Sequence, residues 1–254
     1  MEKISRFFQR IGMDPHTPIE HTVDFLGRVQ SGCVMHIAYE NLDILAGKAL
    51  SLDPKAIYDK VVLRGRGGYC FELNGLLTHM LRDMGFHASD RFARFLRGES
   101  ALPMRRHRVT VVQLADARYL CDIGVGQIAP RLPLRMEEDL LQHQYGETYR
   151  FAKDDTHGWV LWELHQGQWR QLLCFQDEAV PEVDFIQPTF YCEKHPDSVF
   201  NKDFMIAIKT PTGRRAINGR DYKIFEGETI VHLEEGITDD RLQALLTNEF
   251  KLTL

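Results

Sequence analysis

The sequence predicts an α+β fold: a helical unit, then an antiparallel sheet, then a small α/β unit. Three observations carry this. Apolar residues recur at helical spacing through the first third. Short β-branched and aromatic runs, separated by Gly, Asp and Pro, fill the middle. Strand-like runs and one closing amphipathic helix share the last third. The expected units are residues 1–84, 85–190 and 191–254, and 254 residues suffice to bury a substantial core.

In "TPIEHTVDFLGRVQSGCVMHIAY", Thr17 is expected to cap a helix with Pro18 just inside it. A second helix is expected after Asp53 in "DPKAIYDKVVL". A third follows Gly67 and Gly68. Its residues Leu73, Leu76, Leu77, Met80, Leu81 and Met84 fit a 3.6-residue period, and Gly85 stands where it should stop. Beyond Gly85, "HRVTVVQL", "RYLCDIG", "ETYRF", "WVLWEL" and "QWRQLLCF" read as strands, with a hairpin turn at Gln166 and Gly167. "FMIAIK", "RRAIN", "YKIFE" and "TIVHL" read as strands of the last unit. Its closing helix, "TDDRLQALLTNEF", has acids at its start and Leu242, Leu245, Leu246 and Phe250 on one face.

A net charge of −5 with no basic block argues against a nucleic-acid or anionic-membrane partner. The start, "MEKISRFFQRIGMD", has no apolar h-region, and no stretch has the apolar length that spans a bilayer. Cys33, Cys70, Cys121, Cys174 and Cys192 are dispersed and odd in number. They form no CxxC pair, which argues against a zinc site or other metal and for a reduced, cytoplasmic protein.

"RGRGGYCFELNG" holds Cys70 between a glycine turn and an apolar helix. A lone cysteine there is by default a packing residue. Two features favour a nucleophile instead. Gly67 and Gly68 permit a tight turn with room for a ligand. The helix N-terminus also favours a thiolate, so a lowered thiol pKa is expected. A nucleophilic thiol needs a base, and the base needs an orienting group. His107 opens one strand and Asp122 ends the next, so adjacent antiparallel strands can place them side by side.

"RGRGGYCFELN", His107 and "DIGVG" together resemble the arylamine N-acetyltransferase family, bacterial type. "AYENLDI", "HPDSVFNKDFMIAIKTPTG" and the closing helix match further family segments in order. The resemblance implies a papain-like fold with a helical bundle, an antiparallel β-barrel and an α/β lid. It implies a Cys70–His107–Asp122 triad and ping-pong transfer from acetyl-CoA to an arylamine, hydrazine or hydroxylamine, as a monomer or weak homodimer. It implies CoA contacts at Thr210, Arg105, Arg106 and Gly126. It implies acceptor contacts at Tyr69, Phe71, Gly124 and Val125. A cysteine hydrolase using the same triad is the alternative.

Two departures stand out. Val125 replaces the Phe usual in the family's D-x-G-F-G turn, and "AY" replaces the Pro-Phe before Glu40. The ending at Leu254 lacks the extension of animal relatives, which suggests a more open CoA cleft. "GVGQIA" matches a dinucleotide fingerprint, but Pro130 and Pro133 stand where that fingerprint needs a helix. Arg66 is expected to pair with Glu40.

Overall fold

The structure, a computed structural model, describes residues 2–115 and 117–253. Helices α1 (Glu2–Arg10), α2 (Val23–His36), α3 (Leu42–Leu45), α4 (Pro54–Tyr58) and α5 (Cys70–Asp83) make the first unit. Helix α2 starts later than expected. Thr22, not Thr17, is its cap, because the Thr22 hydroxyl accepts from Phe25 N at 3.2 Å. The Thr17 N–H instead closes a turn on the Asp14 carbonyl. Helix α4 begins as expected, with the Asp53 carboxylate accepting from Ala56 N and Pro54 in the first turn.

Helix α5 runs through the middle of this unit. The periodic residues Leu73, Leu76, Leu77, Met80 and Leu81 are all buried, among Phe7, Phe8, Phe25 and Phe86. The helix stops at Gly85, whose φ of +86° a side-chain-bearing residue adopts only with strain.

Strands β1 (His87–Phe95), β2 (His107–Gln113), β3 (Arg118–Cys121), β4 (Leu134–Arg135), β5 (Gln142–Gln144), β6 (Glu147–Asp154), β7 (Gly158–His165) and β8 (Gln168–Phe175) form one antiparallel sheet. Its order is β4-β3-β2-β1-β8-β7-β6-β5, a nearly closed barrel. The hairpin between β7 and β8 turns at Gln166 and Gly167, both with positive φ, the geometry that matches strand twist. Val109, Val111, Leu120, Phe151, Trp159, Leu161 and Leu173 fill the barrel.

Strand β1 was not expected from the sequence, yet it joins β2 to β8 at the centre of the sheet. "HASDRFARF" hides its role because it buries charge. Asp90 takes two hydrogen bonds of 2.8 Å from Arg108 of β2 and one of 2.7 Å from Thr78 of α5. That buried pair clamps α5 against the sheet; losing either partner would strand a buried charge, at a cost of about 3–5 kcal/mol.

Helix α6 (Ile186–Lys194) follows, and the expected boundary at residue 190 falls inside it. Strands β9 (Met205–Lys209), β10 (Gly213–Asn218), β11 (Asp221–Glu226) and β12 (Thr229–Glu234) then form a second antiparallel sheet. Helix α7 (Asp239–Asn248) covers it, placing Leu242, Leu245 and Leu246, with Phe250 just beyond its end, on Ile206, Ile208, Ile217 and Tyr222. The segment after α2 stitches the units together. Tyr39 exchanges two backbone hydrogen bonds of 2.9 Å with Ala207 of β9, and Glu40 N donates to Gly68 O.

Candidate active site

Cys70 is the first residue of α5 and lies on the wall of a cleft of about 530 Å³. Tyr39, His107, Gly124, Val125, Phe200 and Ala207 share that wall, so all three units contribute to it. Gly67 is obligatory here, although not for a ligand: a Cβ there would lie 2.2 Å from the Ala38 carbonyl. The space beside Gly67 and Gly68 is filled by Ala38, Glu40 and Glu72, which corrects the expectation of room for a ligand. Arg66 reaches Glu40 at 3.2 Å, the pair expected from the sequence, and holds the same turn.

The β2–β3 register pairs Thr110 with Cys121, which carries Asp122 alongside the start of β2. There His107 Nε2 lies 2.7 Å from Asp122 Oδ2. The other carboxylate oxygen accepts from Asn74 Nδ2 and from Gly124 N, each at 2.8 Å. The acid is buried but fully partnered, as an ionised group in the interior must be. With Nε2 so held, His107 Nδ1 is free of protein partners among the described residues and belongs to a ring on the cleft wall. The Cys70 thiol points at the carbonyl of Arg106, the residue before His107, at 3.9 Å.

Gly124 makes this convergence possible. A Cβ on it would sit 2.8 Å from Cys70 Cα and 2.7 Å from Asn74 Nδ2. Only a glycine lets the turn after Asp122 lie directly on the start of α5.

Burial works against ionisation of the resting thiol. Burial pushes the Cys70 pKa well above the ordinary range, and the Cys192 thiol and Asp122 carboxylate push the same way. Burial thus opposes the lowering expected from the helix N-terminus. An isolated thiolate is disfavoured in so dry a place, whereas a thiolate paired with an imidazolium would not be isolated. Moving the proton from Sγ to the His107 ring leaves the charge of the cluster unchanged, and Asp122 stands ready to stabilise the imidazolium.

The structure separates the remaining expected contacts. Gly124, Val125, Gly126 and Arg106 line the cleft. Tyr69 and Phe71 do not. Both are fully buried against Phe185 and Phe200, because residues on either side of Cys70 in a helix start point away from it. Arg105 is exposed and faces a neighbouring groove with Phe92 and Tyr191. Thr210 turns its hydroxyl to Gly213 N at 2.9 Å and closes the β9–β10 turn, outside the cleft wall. Residues that sequence reasoning missed also line the cleft: Arg97, Arg214 and Asn218. No motif marks them; they come from the ends of a barrel strand and of β10, brought together only by folding. Asn74, four residues after Cys70, was also missed. Its spacing of one helical turn from the cysteine was the available signal.

Residues 22–254 match the N-acetyltransferase family model. The chain belongs to the arylamine N-acetyltransferase family. It is 32% identical over 178 residues to the arylamine N-acetyltransferase / N-hydroxyarylamine O-acetyltransferase of Salmonella typhimurium, covering 70% of this chain and 63% of that one. The solved structure of the Salmonella typhimurium arylamine N-acetyltransferase superposes with a TM-score of 0.94 at 27% identity, covering all of this chain and 92% of that one. The Mycobacterium marinum arylamine N-acetyltransferase, solved in complex with CoA, gives a TM-score of 0.92 at 28% identity, covering 98% and 93%. The α+β architecture expected from the sequence is that of these arylamine N-acetyltransferases.

Among the described residues, no helix is long and apolar enough to cross a membrane.

Proposed function

We propose that this chain transfers an acetyl group from acetyl-CoA to the nitrogen of an arylamine, arylhydrazine or arylhydroxylamine, through an acetyl-Cys70 intermediate. The observation that carries the reading is the 2.7 Å bond between His107 and Asp122, on the wall of a cleft shared with Cys70. The relatives with solved structures support the donor, since one holds CoA.

His107 takes the thiol proton as Cys70 Sγ attacks the thioester carbonyl carbon. The leaving CoA sulfur takes that proton back from the imidazolium. In the second half, His107 accepts a proton from the acceptor nitrogen as it attacks the acetyl carbon, and the Cys70 sulfur leaves. Asp122 keeps the ring oriented throughout. The cleft walls suit the acceptor: Val125, Phe200, Met205, Ile206 and Ala207 offer apolar surface to an aromatic ring. Arg97, Arg106 and Arg214 line the cleft, each paired with a glutamate (Glu163, Glu99 and Glu228), and their remaining N–H donors suit the phosphates of CoA. The cysteines of the structure are all unpaired, which supports a reducing compartment, the cytoplasm.

Brief mixing with acetyl-CoA without acceptor, read by intact mass and CoA release, tests the reading. One acetyl group on Cys70, discharged by an arylamine, is the expected result. Absence of both acetylation and CoA release at all donor concentrations would overturn it. Discharge to water at the same rate with and without amine would favour the hydrolase instead.

A further inference from the structure

We infer that Tyr39 is a further catalytic residue, whose hydroxyl donates a hydrogen bond to the carbonyl oxygen of the acyl group as it moves onto and off Cys70. The inference rests on the acetyl-transfer reading above.

Tyr39 lines the same cleft as Cys70 and His107. Its ring packs against both the helical core and the aromatic cluster around Cys70. Gly126 abuts it so closely that a Cβ there would lie 3.2 Å from Tyr39 Cδ1. Its backbone is held from two sides, by the paired bonds with Ala207 and by the neighbouring bond from Glu40 N to Gly68 O. The ring is therefore fixed before any ligand arrives, as a group that acts on a transition state must be.

The hydroxyl itself has no hydrogen-bond partner among the described residues, and it is not one of the polar atoms sealed inside the protein. A shielded phenol without a partner is costly unless the cleft or its occupant supplies one. The group lies within electrostatic reach of Cys70, Cys192 and Asp122. Burial holds the phenol pKa well above its ordinary value, so the hydroxyl keeps its proton and remains a donor.

The chemistry calls for such a donor. When Sγ bonds to the thioester carbon, the carbonyl π pair moves to oxygen and an oxyanion forms beside Cys70. When that pair returns, the bond to the CoA sulfur breaks. In the turn after Asp122, Ile123 N is committed to Asn74 Oδ1 and Gly124 N to Asp122 Oδ1, so neither amide is open to the oxyanion. The Tyr39 hydroxyl is uncommitted.

Tyr39→Phe removes the hydroxyl and keeps the ring that packs on Gly126. The test compares it with the wild type in acetylation of Cys70 by p-nitrophenyl acetate and by acetyl-CoA, and in alkylation of Cys70 by iodoacetamide across pH. Acetylation should fall on the order of 10²-fold with both donors. The alkylation rate and its pH profile should not move, since that displacement forms no oxyanion. Acetylation at the wild-type rate would overturn the inference. So would a parallel fall in alkylation, which would make the hydroxyl a partner of the thiol instead. Acetylation of the wild type by p-nitrophenyl acetate but not by acetyl-CoA would fail the donor reading alone, while the comparison for Tyr39 stands.

Discussion

Asn74 Nδ2 lies 2.8 Å from Asp122 Oδ1, tying the helix that begins at Cys70 to the carboxylate that holds His107. The amide is used fully. Its nitrogen also donates to the Arg108 carbonyl, and its oxygen accepts from Ile123 N at 2.9 Å. One buried side chain thus ties the first turns of α5 to the His107–Asp122 pair.

Asn74→Ala should therefore weaken catalysis without touching substrate. A hydrogen bond to a charged group contributes about 1.5–3 kcal/mol, so acetylation of Cys70 should slow by roughly 10- to 100-fold. Alkylation of Cys70 at pH 7 should slow with it, because the imidazolium is less well supported. Unfolding measured in parallel should show a loss of about 1–3 kcal/mol. Wild-type alkylation in a folded variant would remove Asn74 from the positioning role.

Asp122→Asn keeps the shape and removes the charge beside His107 Nε2. The amide also offers a donor where the ring needs an acceptor, which favours the wrong tautomer. Turnover should fall on the order of 10²-fold or more. Mass mapping after iodoacetamide should still find Cys70 labelled before Cys33, Cys121, Cys174 and Cys192, which line no part of the cleft. Near-full turnover in a folded variant would show that the bond to His107 serves packing alone.

Val125 lines the cleft and packs against both the helical core and the barrel core. Val125→Phe adds a ring for stacking, a contact of about 0.5–1.5 kcal/mol. The kcat/KM ratio should shift towards small flat arylamines by up to about tenfold. Acetylation of Cys70 by acetyl-CoA should change less. Rates for two acceptors of different width, in both proteins, decide the matter; an unchanged ratio would show that the wall at 125 does not meet the acceptor.

Alkaline pH should destabilise the fold under reducing conditions. Burial pushes Cys33 and Cys192 up to about 12 from 9.0, and raises Cys70, Cys121 and Cys174 as well. A raised native pKa gives stability that is intact below the unfolded value and is lost as pH rises through it towards the native one. Each such thiol contributes a slope of up to about 1.4 kcal/mol per pH unit above pH 9. Lys209, pushed down to about 8 by burial, acts in the opposite sense and offsets about one thiol. Urea midpoints at pH 8 and pH 10 should therefore fall, and Cys33→Ala should flatten the dependence. A midpoint independent of pH would contradict this sign.

Local chemistry made much of the chain legible. The cap at Asp53, the stop at Gly85 and the left-handed pair at Gln166 and Gly167 depend on neighbours within a few residues, so the sequence by itself determined them. The same holds for the apolar stripe of α5, whose period names its buried face. Strand β1 escaped because its buried charge is neutralised by Arg108, 18 residues away, and a pattern of hydrophobicity cannot register a distant partner. The site divides along the same line. The glycine turn, Cys70, His107 and Asp122 could be picked out as residue types in sequence order. The bond between His107 and Asp122, the tie through Asn74 and the placing of Arg97 and Arg214 in the cleft were decided only by the tertiary structure. It likewise turned Tyr69, Phe71 and Thr210 away from the cleft and left the Tyr39 hydroxyl uncommitted in the cleft that Cys70 also lines. The physical reason is that caps and periods are fixed by short-range geometry, whereas a catalytic site is fixed by which side chains lose water together. That depends on how distant segments close over one another.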